Sequence, residues 1–326
     1  MKKILLVGYY GFGNLGDELM RISIKKFLKR ENYQVVELLP KEVKYENAYS
    51  RFNIISVLNA ISKSDIVICG GGGVLQDKTS FRSFMYYYLI FKISLFLRKP
   101  VIFFGNSFGP FKRYLSRILF KDLLRNKKLY IFSRDEVSYK YVKKYNNKAF
   151  IYTDPSIPIL SEEKYEKKVQ RKAVIVPRKF RSYVPVLLCL ANQGFTNVVF
   201  APFSPEDVPL AKRLSNFSVK KLKVSYCDVE DSISHIKQSE LVISERFHGA
   251  LIAAYFEVPF ISLKDEKFRR FFHKYQKDYN GYAKGIIEAS YKISKVKGIK
   301  LQVRKQMEED AKEMYEKLKN LIHNLA

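Results

Sequence analysis

Short apolar runs recur along the chain, alternating with stretches whose apolar positions return every three or four residues. Runs of the first kind mark buried strands, and the 3.6-residue period marks amphipathic helices. In the first half the runs predict strands at 4–7, 34–39, 66–69, 101–104, 129–132 and 150–152. A helical pattern follows the first of them through Leu19, Met20, Ile22, Ile24, Phe27 and Leu28. In the second half the same reading predicts strands at 173–176, 198–202, 221–224, 241–244 and 259–263, with helices at 182–192, 207–216, 230–238 and 247–256. Such alternation predicts a doubly wound α/β architecture.

Residues 161–172 are charged and carry no apolar period that could bury them, so they are expected to link an N-terminal domain (1–160) to a C-terminal one (173–300). The tail, 301–326, reads as a charged amphipathic helix with Met307, Ala311, Met314, Leu318, Leu321, Ile322 and Leu325 on its apolar face. It is expected to pack back on the first domain. Residues 84–97 are apolar or aromatic apart from Lys92 and Ser94, yet fall short of the roughly 20 residues that span a bilayer. A buried or interface-dipping helix is the expectation there.

Composition changes this picture in two ways. At 326 residues the chain can bury two full cores. Its formal charge of +27, from 59 Lys and Arg against 32 Asp and Glu, suits a polyanionic partner: nucleic acid, an acidic membrane face or a phosphorylated substrate. The excess is spread along the chain and dominated by lysine, which an ordinary solvated surface would also produce. Cys69, Cys189 and Cys227 are far apart and odd in number, so neither a disulfide framework nor a zinc site is signalled. The opening MKKILLVG is too short for a signal-peptide core, and a cytoplasmic protein is expected.

Candidate chemistry gathers where the strands end. GYYGFGNLGDE (8–18) leaves a strand with four glycines and opens a helix, which bares backbone N–H groups where the helix dipole favours an anion. The spacing departs from GxGxxG, and Glu37 falls inside the second strand rather than at its tip, so a nicotinamide cofactor is disfavoured. The glycines could equally serve only a tight turn. CGGGGVLQD (69–77) removes side chains from the next sheet edge, which lets a ligand approach the backbone or simply makes a flexible loop. FGNSFGP (104–110) adds Asn106 and Ser107, suited to sugar hydroxyls.

SRDE (133–136) sets Arg134 where a guanidinium can grip a phosphate or carboxylate, unless it makes a surface ion pair beside Asp135 as helix cap. SERFHGALIAA (244–254) places Arg246 and His248 at a strand-to-helix junction. There the helix N-terminus favours anions and a neutral imidazole capable of acid–base work, although a histidine at a helix start can also merely cap it. KDEKF (264–268) brings Lys264 and Lys267 to the following tip, as ligands or as solvated charge. No GxSxG, P-loop, HExxH or CxxC occurs, so a simple serine hydrolase, P-loop NTPase or zinc enzyme is not supported.

In order, GYYGFGNLGDE, CGGGGVLQD, FGNSFGP, SRDE, RFHGALIAAYFEVP and the DEK segment resemble the polysaccharide pyruvyl transferase family over most of the chain. The resemblance implies two Rossmann-like domains facing across a cleft, as in GT-B glycosyltransferases. It implies phosphoenolpyruvate as donor, no metal or other cofactor, and a cell-wall sugar as acceptor of a pyruvate ketal. The family's donor-binding arginine falls on Arg134, its Arg-Leu-His element on Arg246, Phe247 and His248, and its lysine on Lys267, with Lys264 a rival. Phe247 replaces the more usual leucine. Gly11, Gly13, Asn14, Asp17, Glu18, Gly72, Gly73 and Asn106 are expected on the acceptor side, with Asp17 or Glu18 activating a hydroxyl. A lipid-linked acceptor at the inner membrane face would make sense of the charge. Two other readings compete. One is a nucleotide-sugar glycosyltransferase of the same fold, in which Glu257 is an imperfect ribose ligand; the other is a basic membrane-surface or nucleic-acid binder.

Overall fold

The computed structural model describes residues 1–40, 47–164 and 169–325. Its strands are β1 (Lys3–Val7), β2 (Gln34–Leu39), β3 (Ala48–Ser50), β4 (Ile66–Gly72), β5 (Val101–Asn106), β6 (Leu129–Ser133), β7 (Ala149–Ile151), β8 (Lys172–Val176), β9 (Asn197–Phe200), β10 (Lys223–Tyr226), β11 (Leu241–Ser244), β12 (Phe260–Leu263) and β13 (Tyr282–Ala283). Its helices are α1 (Leu15–Arg30), α2 (Ile54–Ser62), α3 (Phe81–Phe96), α4 (Tyr114–Leu124), α5 (Glu136–Lys143), α6 (Ile157–Ser161), α7 (Val184–Asn192), α8 (Val208–Ser215), α9 (Ser232–Lys237), α10 (Phe247–Tyr255), α11 (Glu266–Phe272), α12 (Ile286–Lys292) and α13 (Gln302–Asn324). They form two compact units. One comprises Met1–Phe12, Asp17–Ile159 and Glu309–Ala326, the other Gly13–Gly16 and Leu160–Glu308.

In the first unit the described residues build a parallel seven-stranded sheet in the order β3-β2-β1-β4-β5-β6-β7. β4 and β5 are buried along their whole length, as strands covered on both faces must be. On one face α2, α3 and α4 supply Val57, Ile61, Phe84, Phe91, Phe120 and Leu124. On the other, Ile24 and Leu28 of α1 meet Met314, Leu318 and Ile322 of α13 over Ile4, Leu6 and Phe104. The C-terminal helix thus does pack on the first sheet, while its opening turns, through Glu308, belong to the other unit. The second unit's sheet runs β10-β9-β8-β11-β12-β13, again parallel, over a core that includes Ile175, Leu187, Phe200 and Ile243.

Several elements depart from the pattern-based expectation. β3 and β13 are three- and two-residue edge strands with no apolar run to announce them. β4 and β5 run on to Gly72 and Asn106 instead of stopping at 69 and 104. β10 lies two residues later than expected, at Lys223–Tyr226. Gly13–Gly16, expected in the first domain, cluster with the second unit. Of the proposed linker 161–172, Ser161 closes α6, Lys172 opens β8, and residues 165–168 lie outside the described ones. Residues 84–97 fall in α3 and its end, with Phe84, Tyr87 and Phe91 buried. Among the described residues, no helix is long and apolar enough to cross a membrane.

Candidate functional site

Parallel strands share one carboxyl edge, and ligands of doubly wound sheets bind there, where the strand order reverses. The reversals fall between β1 and β4 in the first unit and between β8 and β11 in the second. The tips at those points are the glycine segments in the first case, and residues 177–181 with Glu245 and Arg246 in the second.

In the first unit most of the polyglycine surface is filled by the chain itself. A Cβ at Gly70 would stand 2.2 Å from the Tyr10 hydroxyl oxygen, and one at Gly71, where φ is +75°, would stand 2.1 Å from Met20 Sδ. The run therefore seats Tyr10, whose hydroxyl donates to the Gly70 carbonyl, and α1 against a bare strand. That corrects the picture of an open edge at these two positions. Further out, a Cβ at Gly72 would meet the Asp17 carboxylate at 3.2 Å, so those two candidates do lie together, and Gly73 is half-buried beyond them. Glu18 turns back on its own loop, accepting from Gly11 N (2.6 Å) and pairing with Arg21 (2.8 Å).

Four tips of this edge, those of β4, β5, β6 and β7, are knitted into one buried network. Asn106 donates to the Gly71 carbonyl (2.7 Å), and its Oδ1 is buried without a hydrogen-bond partner. Arg134, at the end of β6, is only 3 % exposed; its Nε donates to Ser107 Oγ (2.9 Å) and its Nη1 to Asp154, itself fully buried. Asp154 also accepts from the amide and hydroxyl of Ser156 (3.0 and 2.6 Å). The guanidinium is thus no open grip and no surface ion pair: a carboxylate beyond β7 holds and neutralises it. Asp135 does cap α5, through Ser138 N. Asp154 escaped the sequence reading, although a lone aspartate two residues past a strand was the available signal.

The second unit assembles its charges around the start of α10. Arg246 is the residue before the first helical turn, with extended backbone, and Ser244 Oγ both accepts from its amide (3.1 Å) and donates to its carbonyl (2.7 Å). Its guanidinium is held by Asp207 and reaches Ser204 Oγ at 3.5 Å, while its Nε is buried without a hydrogen-bond partner. His248 is nine-tenths buried, packed edge-on against Phe247. Phe247 in turn meets Phe268 and Phe271 of α11 at 5.3 and 5.4 Å, which explains the aromatic in this position: its side chain belongs to the core. Lys267 is half-buried in the first turn of α11, where Asp265 caps its amide; Lys264 is exposed with φ +58°.

Gly13–Gly16, which belong to this same unit, come to the same place. Leu15 N donates to the Phe203 carbonyl (2.8 Å), Gly13 lies on Pro205, and a Cβ at Gly16 would stand 2.0 Å from His248 Nδ1. Having no side chain, Gly16 lets the backbone at the start of α1 lie against the imidazole, where the sequence suggested an anion seat or a tight turn. Glu245, also unassigned before, accepts from Arg178 N and Lys179 N (3.1 Å each) and pairs with Arg181. It thereby fixes a basic loop, with Arg178 and Lys179 exposed, beside Arg246. The three bases of PRKFR after β8 were visible in the sequence.

Thiol chemistry is closed off here, since burial pushes the Cys69 thiol up to about 12 and Cys227 up to about 11. Among the described residues no three His, Cys, Asp or Glu side chains group so as to hold a metal ion. What remains in the second unit is an edge where the imidazole of His248 and the carboxylate-held guanidinium of Arg246 stand at the start of α10.

A family model described as "Polysaccharide pyruvyl transferase" matches residues 14–266, a range that holds Arg134, Arg246 and His248. The chain belongs to the polysaccharide pyruvyl transferase family. Among curated proteins none matches the transferase. Solved structures share its fold at low identity. The UDP-GlcNAc 2-epimerase from Neisseria meningitidis bound to UDP-GlcNAc is 12 % identical, with a TM-score of 0.62 over 99 % of this chain and all of that one. A MnaA–UDP structure from S. aureus is 14 % identical, with a TM-score of 0.62 over 100 % of this chain and 98 % of that chain. The 2-epimerase from Rickettsia bellii, 11 % identical, gives the same score over 99 % and 96 %. These likenesses establish two Rossmann-like units of the GT-B kind for the transferase, and nothing about its ligands.

Proposed function

We propose that the transferase moves the pyruvyl group of phosphoenolpyruvate onto a sugar of a cell-wall or surface polysaccharide and closes it there as a ketal. The start of α10 carries this reading: a carboxylate-held guanidinium and an imidazole stand at a helix N-terminus on one sheet edge, where the helix dipole favours an anion, which suits a small phosphorylated carboxylate. In the reaction, two sugar hydroxyl oxygens bond to C2 of the donor and the C2–O bond to phosphate breaks. One hydroxyl proton ends on C3, making the methyl group, and the other leaves with phosphate. Arg246 and the α10 amides, including that of Phe247, hold the phosphate, while His248 protonates it as it departs. Lys267, on the helix packed against Phe247, supplies the ammonium, and Lys264 is its rival. Arg134, the family's donor-binding arginine by resemblance, orders the β5–β6–β7 tips within its own unit.

On the acceptor side Asp17 is the proposed hydroxyl base, since Glu18 is committed to Gly11 and Arg21. Gly11, Gly13, Asn14, Gly72, Gly73 and Asn106 shape the sugar's seat. No metal or cofactor enters this scheme. A lipid-linked acceptor at the cytoplasmic membrane face fits the charge of +27. Ligand-dependent thermal shift tests the proposal. Phosphoenolpyruvate is expected to raise the melting temperature, by the equivalent of about 2.7 kcal/mol at a hundredfold excess over its dissociation constant. UDP and GDP are expected to leave it unchanged. Strong stabilisation by a nucleotide and none by phosphoenolpyruvate would point to nucleotide-sugar transfer instead.

A further inference from the structure

The N-terminal turns of α2, α3 and α4 lie side by side at the carboxyl edge of the first sheet and leave an apolar rim uncovered. Ile54 and Ile55 are 72 % and 67 % exposed, although Asn53 caps their helix through Ser56 N and fixes them there. Phe52 precedes them at 71 %, and on α4 Tyr114 and Leu115 stand at 77 % and 50 %. Single exposed hydrophobics need no explanation; a row of them across neighbouring helices does.

The charge around the rim is of one sign. Residues 51–124, to the end of α4, contain eleven Lys and Arg against three carboxylates, Asp65, Asp77 and Asp122, the last paired with Lys92 in the closing turns of α4. Asp65 sits at the opposite edge of the sheet, accepting from Lys3 N. Asp77 is buried beneath α4, where it accepts from the amides of Lys112 and Arg113 and from Ser116 Oγ. Lys78, Arg82, Lys112, Arg113 and Arg117 stay exposed around the apolar residues, with Arg113 braced over the Phe81 ring at 4.6 Å.

Large apolar side chains framed by bases, with the carboxylates turned away, match the surface of an anionic lipid bilayer. We infer that this rim docks the first unit on an anionic membrane surface, its apolar residues entering the headgroup boundary and its bases facing lipid phosphates. The inference extends the lipid-linked reading of the acceptor, but it is tested without turnover, so each can fail alone.

The test is co-sedimentation of the full chain with vesicles of phosphatidylcholine alone or mixed with phosphatidylglycerol. Binding to the mixed vesicles, weakened by salt, is expected. Ile54→Asp with Ile55→Asp should lower it at least about tenfold, with melting temperature unchanged because both positions are exposed. Lys78→Gln, Arg82→Gln and Lys112→Gln together should lower it on the order of 100-fold, at about fivefold per base. Ile287→Asp, at a position 59 % exposed in the second unit, should leave it intact. The inference is overturned if the native chain ignores anionic vesicles, or if the Ile54/Ile55 variant binds like it. It is equally overturned if the native chain forms a dimer that the same pair of substitutions dissolves, which would assign the rim to a second copy.

Discussion

At the scale of single residues, each arginine singled out for anion binding proves to carry a carboxylate of its own. Arg134 has Asp154 and Arg246 has Asp207, and the two pairs differ in burial. Asp154→Ala would strand a guanidinium that is only 3 % exposed, so it is expected to destabilise the first unit by about 3–5 kcal/mol in denaturant unfolding. Arg134→Ala should do the same by stranding Asp154, which makes it a probe of folding before it is one of catalysis. Arg246 is more open, and Asp207→Ala should chiefly free its guanidinium to swing. A rise of roughly tenfold in KM for phosphoenolpyruvate with a smaller change in kcat is expected, checked by steady-state phosphate release. Gly16→Ala is a sharper residue-scale test. Its Cβ would overlap the His248 ring, and a displaced imidazole should cost about 100-fold in kcat in a protein that remains folded by circular dichroism.

At the scale of elements, two inward carboxylates tie helices to the first sheet. Burial would raise the Glu37 carboxyl, but Arg21 and Lys25 of α1 outweigh it and hold the group below its ordinary range. Asp77 is likewise held low, against its burial, by the amides and hydroxyl at the start of α4. A carboxyl whose folded value is depressed contributes stability that is present above its unfolded value and lost as pH falls through the folded one. Melting temperature should therefore decline on acidification below the usual carboxylate range, and Glu37→Gln with Asp77→Asn should flatten that acid limb while lowering the neutral plateau.

Much of this layer was legible from hydrophobic pattern, because buried parallel strands such as β4, β5 and β11 are unbroken apolar runs. β3 and β13 were not, since a two- or three-residue edge strand is defined by its neighbour's hydrogen bonds and has no period of its own. The polyglycine run announced a bare strand but not its occupants, Tyr10 and Met20, which arrive from elsewhere in the chain. Asp154 and Asp207 stayed hidden for a related reason: they meet their arginines 20 and 39 residues away, and no local spacing encodes such a pair.

At the scale of the whole molecule, two doubly wound units place their polar tips at the carboxyl edges of their sheets, and the ordered tip sequences made the family recognisable before any coordinates. Fold alone would not have chosen the chemistry, since the 2-epimerases from Neisseria meningitidis and Rickettsia bellii share it at 12 and 11 % identity. The choice rests on the α10 edge and its imidazole, and one measurement addresses that directly. Incubated with phosphoenolpyruvate and a cell-wall sugar acceptor, the native chain should release one phosphate for each carboxyethylidene group that mass spectrometry finds on the acceptor. His248→Ala should retain the fold and lose this turnover by 10²–10⁴-fold. Acceptor modification at an undiminished rate in the His248 variant, or phosphate release with no carboxyethylidene product, would contradict the account.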